Sequence, residues 1–153
     1  MSIVTFYRDH PNPPRTTQKT RLGANAVIVC NGKLLLEKRA DCDLWGLVGG
    51  GVKRKETTLQ AITREIWEEL GLRISCEKLR KLGIYDGNRI AAYRDGSVWK
   101  MVIVAYYLEL DEIPQMRISK ESRQLRFFSK EELENIQIVV THSDIVEKWF
   151  QNR

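Results

Sequence analysis

Residues 50–72, GGVKRKETTLQAITREIWEELGL, constrain this chain more than any other stretch. They read as a glycine-rich loop running straight into one amphipathic helix. Thr57 suits the N-cap and Gln60, three residues on, can reach back to it, which makes a capping box. Gly71 follows the last periodic residue and suits the left-handed position that ends a helix. Leu59, Ile62, Ile66 and Leu70 recur at helical spacing and predict a buried stripe. Arg64, Glu65, Glu68 and Glu69 fall off that stripe, on an expected charged face. Glu65 lies one turn from both Glu68 and Glu69, and like charges at that spacing destabilise a helix by a few tenths of a kcal/mol per pair. Arg64 offsets part of this. A hard divalent cation would offset more, because Mg²⁺ and Mn²⁺ favour carboxylate and phosphate oxygens. A solvated charged face is the competing reading of the same residues.

The surroundings weigh against the competing reading. The pattern G-x5-E-x7-R-E-U-x-E-E-x-G-U, with U bulky and apolar, is met without mismatch at Gly50, Glu56, Arg64, Glu65, Ile66, Glu68, Glu69, Gly71 and Leu72. Chance would give its seven fixed positions on the order of once in 10⁸ windows. This is the Nudix box, and the chain resembles the Nudix hydrolase family (MutT-like). The resemblance implies an α/β fold, an α/β/α sandwich around a mixed sheet. It implies a metal-dependent pyrophosphohydrolase that cleaves a nucleoside diphosphate linked to another moiety, with Mg²⁺ or Mn²⁺ as cofactor.

Carried over residue by residue, the resemblance makes Glu65, Glu68 and Glu69 metal ligands, joined by the backbone carbonyl of Gly49. Glu56 would support the loop and reach a metal through water, and Arg64 would hold a box carboxylate in position. The proton acceptor for the attacking water would be Glu65 or a carboxylate from a loop outside the box, for which Glu121 is the candidate. Relatives often carry a second glutamate where Gln124 stands. Val48 stands where the family usually has proline, in W-x-x-P-G-G. Glycines let a backbone pass close to a phosphate, so Gly50 and Gly51 are candidate substrate contacts; a flexible turn is the plainer alternative. Tyr85, Tyr93 and Trp99 are candidates for stacking on a base, or else core residues.

Along the chain, residues 1–19 read as an N-terminal extension and residues 20–153 as a single domain. Residues 3–7 would form a short strand or helical turn, followed by an irregular, proline-rich arm that packs on a partner or closes over substrate. Residues 22–30 and 33–38 are strands joined by Asn31-Gly32, a hairpin signal. Residues 73–76 and 78–85 read as strand material, 86–89 as turn-like, and Asp95-Gly96 as a second hairpin turn. Residues 98–110 form the longest β-branched and aromatic run, a buried strand. Residues 124–128 are the last strand, Ser129 and Glu132 cap a short helix, and residues 142–150 form a C-terminal helix.

The composition excludes little more. At 153 residues the chain can bury a real core. No apolar run approaches ~18 residues, so no membrane helix is expected, and a cytoplasmic location is the default. Cys30, Cys42 and Cys76 lack the spacing of a disulfide framework or zinc site. His10 and His142 have no carboxylate or cysteine company and are expected at the surface. The net charge of +5 is dispersed; it fits a small nucleotide substrate, and nucleic acid is not indicated. A homodimer would use the N-terminal arm or exposed tyrosines at 106–107. The alternatives in function are a non-catalytic nucleotide-sensing regulator and an RNA 5′-end pyrophosphohydrolase.

Overall fold

The structure, a computed structural model, describes residues 2–151. Its organising element is strand β2 (Arg21–Cys30), whose last eight residues are all buried. Side chains alternate across a strand. Ala24, Ala26 and Ile28 therefore join one apolar core, while Val27 and Val29 join a second on the opposite face. A strand covered on both sides explains the continuous apolar run. Asn31 and Gly32 both take positive φ (52° and 75°) and return the chain as β3 (Lys33–Arg39), as an Asn-Gly hairpin turn should.

β2 then pairs differently along its two edges. Strand β7 (Val98–Leu110) runs parallel to it over its whole length, from Arg21↔Met101 to Cys30↔Leu110. On the other edge β3 holds only Val29 and Cys30, and Gly23 to Ala26 pair with β5 (Val48–Gly51). β3 leaves to pair with β4 (Trp45–Gly46) and β8 (Ser122–Phe128). The mixed sheet thus splits beside β2, and the glycine loop of β5 lines the split.

Helix α1 (Thr58–Leu70) covers one face, with Ile62, Ile66 and Leu70 fully buried. Helix α3 (Val140–Gln151) covers the other through Ile145, Val146 and Trp149. Between β8 and α3 lies the single turn α2 (Lys130–Leu133), closed by the expected Ser129–Glu132 capping box. This is the α/β/α sandwich expected from the sequence. Among the described residues no helix is long and apolar enough to cross a membrane.

Several local expectations change. Residues 73–76 are irregular and lead into a 3-10 turn, Cys76–Lys78. Residues 86–89 are not a turn: they lie within β6 (Arg80–Tyr93). Tyr85 pairs with Ile103 and Arg89 with Met101, so four steps of β6 oppose two of β7, and Asn88, at φ 28°, sits in the bulge. Turn-forming residues are also bulge-forming residues, and pairing with β7 on one edge decides between the two. On its other edge β6 pairs antiparallel with β1 (Val4–Arg8), so the early segment is an edge strand of the main sheet with Val4 buried. Tyr106 is not exposed; its hydroxyl lies 2.7 Å from Thr58 Oγ1 beneath α1.

Candidate active site

Helix α1 begins and ends where the sequence places its caps. Gln60 N–H donates to Thr57 Oγ1 at 3.0 Å and Thr57 N–H donates to Gln60 Oε1 at 2.9 Å. Gly71 sits at φ 72° and its N–H donates to the Trp67 carbonyl. The carboxylates on this helix are not uniformly solvated, as the competing reading of a solvated charged face would have them. Glu65 and Glu69 are 8% and 3% exposed; only the Glu68 side chain is largely open. The glycine loop explains the burial of Glu65. A Cβ on Gly50 would stand 2.6 Å from Glu65 Oε1, so only glycine lets that carboxylate close against the loop. Gly49, at φ 151°, faces Ala24 and Asn25 instead, and Gly51 faces open space.

Arg64 organises one group of acids. Its Nε and Nη2 donate to Glu56 Oε2 and Oε1 at 2.8 and 3.0 Å. Nη1 donates to Glu65 Oε1 at 2.9 Å and Glu68 Oε2 at 3.1 Å. Nη2 also donates to the Gly51 carbonyl at 2.9 Å, which ties the helix to the loop. Glu56 additionally accepts the Lys53 N–H, and the Arg64 hydrogen bonds hold its carboxyl well below the usual range. Burial pushes Glu65 upward, with Arg64 opposing.

A second group was not anticipated from the sequence. Glu37, on β3, is 4% exposed and its carboxyl is within hydrogen-bonding reach of Glu69. Ser122 Oγ donates to Glu37 Oε2 at 2.8 Å. Burial pushes both acids up, and for Glu69 the charge of Glu37 adds to it. Glu69 Oε2 is buried without a hydrogen-bond partner. Strand alternation does carry a signal for Glu37: it lies two residues from Leu35, hence on the face that meets α1. Glu121 ends the loop before β8, where its carbonyl accepts the Ala40 N–H at 2.9 Å.

These elements enclose a cavity of about 470 Å³. Glu37, Glu69, Glu121 and Gly49 to Gly51 line one part, while Arg21, Tyr93, Met101 and Phe6 line another. Arg21 Nη1 donates to Tyr93 Oη at 3.0 Å, and its guanidinium lies 4.2 Å from the Trp99 ring centre. Tyr93 therefore lines the cavity and Trp99 backs it through Arg21. Tyr85 does neither; it lines a separate groove with Tyr107, Lys148 and Trp149. His142 is a second correction. It is buried, not at the surface, and its Nδ1 accepts the Leu47 N–H at 3.0 Å, while Asn25 Nδ2 donates to the Leu47 carbonyl at 3.2 Å. Burial lowers its pKa to about 3. The pair clamps the strand just ahead of the glycines.

Among the described residues no three acidic side chains already surround one point, and Arg64 engages Glu65 and Glu68. The donor set nevertheless suits a hard cation, being all oxygen. The unpartnered Glu69 Oε2 is the kind of buried acceptor that a cation would satisfy.

A sequence model of the NUDIX domain matches residues 19–149. Nucleoside triphosphatase NudI of Enterobacter sp. (strain 638) is 29% identical over 120 residues, which cover 73% of this chain and 84% of that protein. A MutT-like protein of Streptomyces ambofaciens is 39% identical over 62 residues, 40% of this chain; the match spans only 39% of that protein's length. The solved NUDIX domain of Shewanella oneidensis NrtR, complexed with ADP ribose, superimposes with a TM-score of 0.71 at 17% identity, over 93% of this chain and 94% of that one. With the box intact, its helix capped as the motif requires and the domain matched from residue 19 to residue 149, the chain belongs to the Nudix hydrolase family.

Proposed function

We propose that this protein hydrolyses a pyrophosphate bond in a nucleoside triphosphate or related nucleotide, and that it needs Mg²⁺ or Mn²⁺ to do so. The observation that carries this reading is the two-sided cavity: box and non-box glutamates on one side, a cation held against aromatic rings on the other. Glu65, Glu68 and Glu69 would hold the ion, with a backbone carbonyl of the glycine loop. The bound ion supplies charge neutralisation for the phosphates and a more acidic attacking water. Arg64 positions Glu65 and Glu68 and is itself held by Glu56. Glu121 would accept the water's proton, and Gly50 and Gly51 leave room for phosphate oxygens. Tyr93, with Arg21 backed by Trp99, would receive the nucleoside. Likeness to NudI over most of both chains favours a nucleoside triphosphate over the other linked groups.

The test is a hydrolysis screen over a nucleotide library with Mg²⁺ and with Mn²⁺, reading phosphate and pyrophosphate release. Turnover of at least one nucleoside triphosphate, abolished by chelator and lost in Glu68→Gln, is expected. Full activity in Glu68→Gln and Glu69→Gln together would remove the role given to the helix.

A further inference from the structure

We infer that Glu37, on β3 and outside the box, is a further ligand of the divalent ion, acting as a pair with Glu69. The inference rests on the reading above that the box glutamates bind such an ion. It is carried by what surrounds the pair. Both residues are more than nine-tenths buried, and their carboxyl groups meet within hydrogen-bonding reach. The guanidinium on the same strand, Arg39, is taken up by Asp41, to which Nε and Nη2 donate at 2.9 and 2.7 Å. Arg64 is likewise spent on Glu56, Glu65, Glu68 and the Gly51 carbonyl. Two carboxyl groups are thus buried against each other with no protein cation bonded to either among the described residues. Buried charge is tolerated when it is paired or binds a metal, and no cationic side chain among the described residues pairs with these two.

The hydrogen bonds single out which atoms remain available. Ser122 Oγ donates to Glu37 Oε2, which fixes the carboxyl plane. Glu69 Oε2 is buried and unpartnered. Both residues line the cavity in which the glycine loop also lies. Ser122 is then a positioning residue that orients a ligand by hydrogen-bonding its other oxygen, the arrangement usual behind metal-bound carboxylates.

The experiment measures Mn²⁺ binding to the full chain without nucleotide, by calorimetry and by electron paramagnetic resonance, alongside thermal unfolding with and without Mn²⁺. Glu37→Gln keeps the shape of the side chain. It should weaken Mn²⁺ binding at least tenfold and shrink the rise in Tm that Mn²⁺ produces. Its metal-free Tm should equal or exceed that of the wild type, since a carboxyl-to-carboxyl contact has been removed. Ser122→Ala should weaken binding less, in the same direction, and serves as the deciding variant if Glu37→Gln does not fold. Unchanged Mn²⁺ affinity in Glu37→Gln, with affinity lost in Glu69→Gln, would overturn the inference and leave the proposed function standing. Failure of the wild type to bind Mn²⁺ or Mg²⁺ at all would overturn both.

Discussion

Five of the glutamates around the box helix fall into two groups, one bonded to a cation of the protein and one not. Glu56, Glu65 and Glu68 share one guanidinium, that of Arg64, and every contact is 3.1 Å or shorter. Among the described residues no protein cation is bonded to Glu37 or Glu69, which instead face each other in a buried setting. The first group is complete as folded; the second is not. The comparison teaches that one motif serves two purposes. Arginine builds a rigid frame from three acids, and the frame presents a fourth, Glu69, toward a strand that brings a fifth. The frame pairs its acids with a cation of the protein, whereas the pair would gain one only from the ion proposed above.

The largest expected effect comes from breaking the pair. If Glu69 holds the proposed ion, Glu69→Gln should lower the rate of nucleotide hydrolysis by about 10² or more, because a ligand of the group that would neutralise the transition state is removed. Its Tm without metal should not fall. Loss of activity together with a lower metal-free Tm would show that Glu69 belongs with the stabilising frame and erase the distinction. Steady-state kinetics and calorimetry on the same preparation decide the matter.

Breaking the frame should do the reverse at the level of stability. Arg64→Ala leaves Glu65 buried beside Glu68 and frees Glu56 and the Gly51 carbonyl. Truncating one partner of a partly buried charged network costs about 2 kcal/mol here, after allowance for the exposure of Glu68. Urea denaturation would measure it. Activity should also fall, since the glycine loop loses its tie to the helix.

Glu56 in the frame and Glu69 in the pair should also respond oppositely to pH. Glu56 is held below its ordinary value of 4.5, so its contribution to stability is full above that pH and is lost as pH falls through its lowered pKa. Glu69 is pushed above 4.5, so it favours the folded state below that pH and opposes it increasingly as pH rises. Burial of neutral His142, lowered from 6.5 to about 3, works in the same sense as Glu56: its stabilisation is lost as pH falls from 6.5 toward 3. Taking differences from wild type cancels the histidine. The advantage of Glu69→Gln should grow from pH 4.5 upward, whereas the deficit of Arg64→Ala should grow from about pH 2 to pH 4.5 and level off above it. Parallel curves for either variant would contradict the assignment of that group.

Much of the frame is legible in the sequence because its determinants are local. Thr57, Gln60 and Gly71 set the helix ends through contacts at most four residues long, and the stripe at Leu59, Ile62, Ile66 and Leu70 sets its orientation. The pair is hidden because its partner arrives from elsewhere. Apolar periodicity says which face of a helix meets the core, but it does not say that the flank carrying Glu69 will meet β3. His142 is hidden for the same reason; its partner Leu47 lies 95 residues away. At residues 86–88 the local chemistry suits a turn, yet pairing with β7 resumes at Arg89, where β1 also joins, and makes a bulge. Tyr85, Tyr93 and Trp99 have equal claims as aromatics, and only the sheet shows that Tyr93 alone of the three lines the cavity.

The smallest effect comes from a substitution that leaves both groups of acids in place. Gly71 ends α1 at φ 72°, a conformation that costs alanine about 1 kcal/mol. The added Cβ would sit 3.0 Å from Arg117 Cγ, part of a flexible side chain that can yield. Arg117 also anchors the loop toward Glu121 to this helix end: its N–H donates to the Leu70 carbonyl at 3.0 Å and its Nη2 to the Trp67 carbonyl at 3.1 Å. Gly71→Ala should therefore lower stability by about 1 kcal/mol in urea denaturation. Mn²⁺ affinity should remain that of the wild type, since neither Arg64 nor the Glu37–Glu69 pair is touched. A loss of metal affinity here would show that the pair depends on the helix end as much as on β3, and the two groups would then be one mechanical unit.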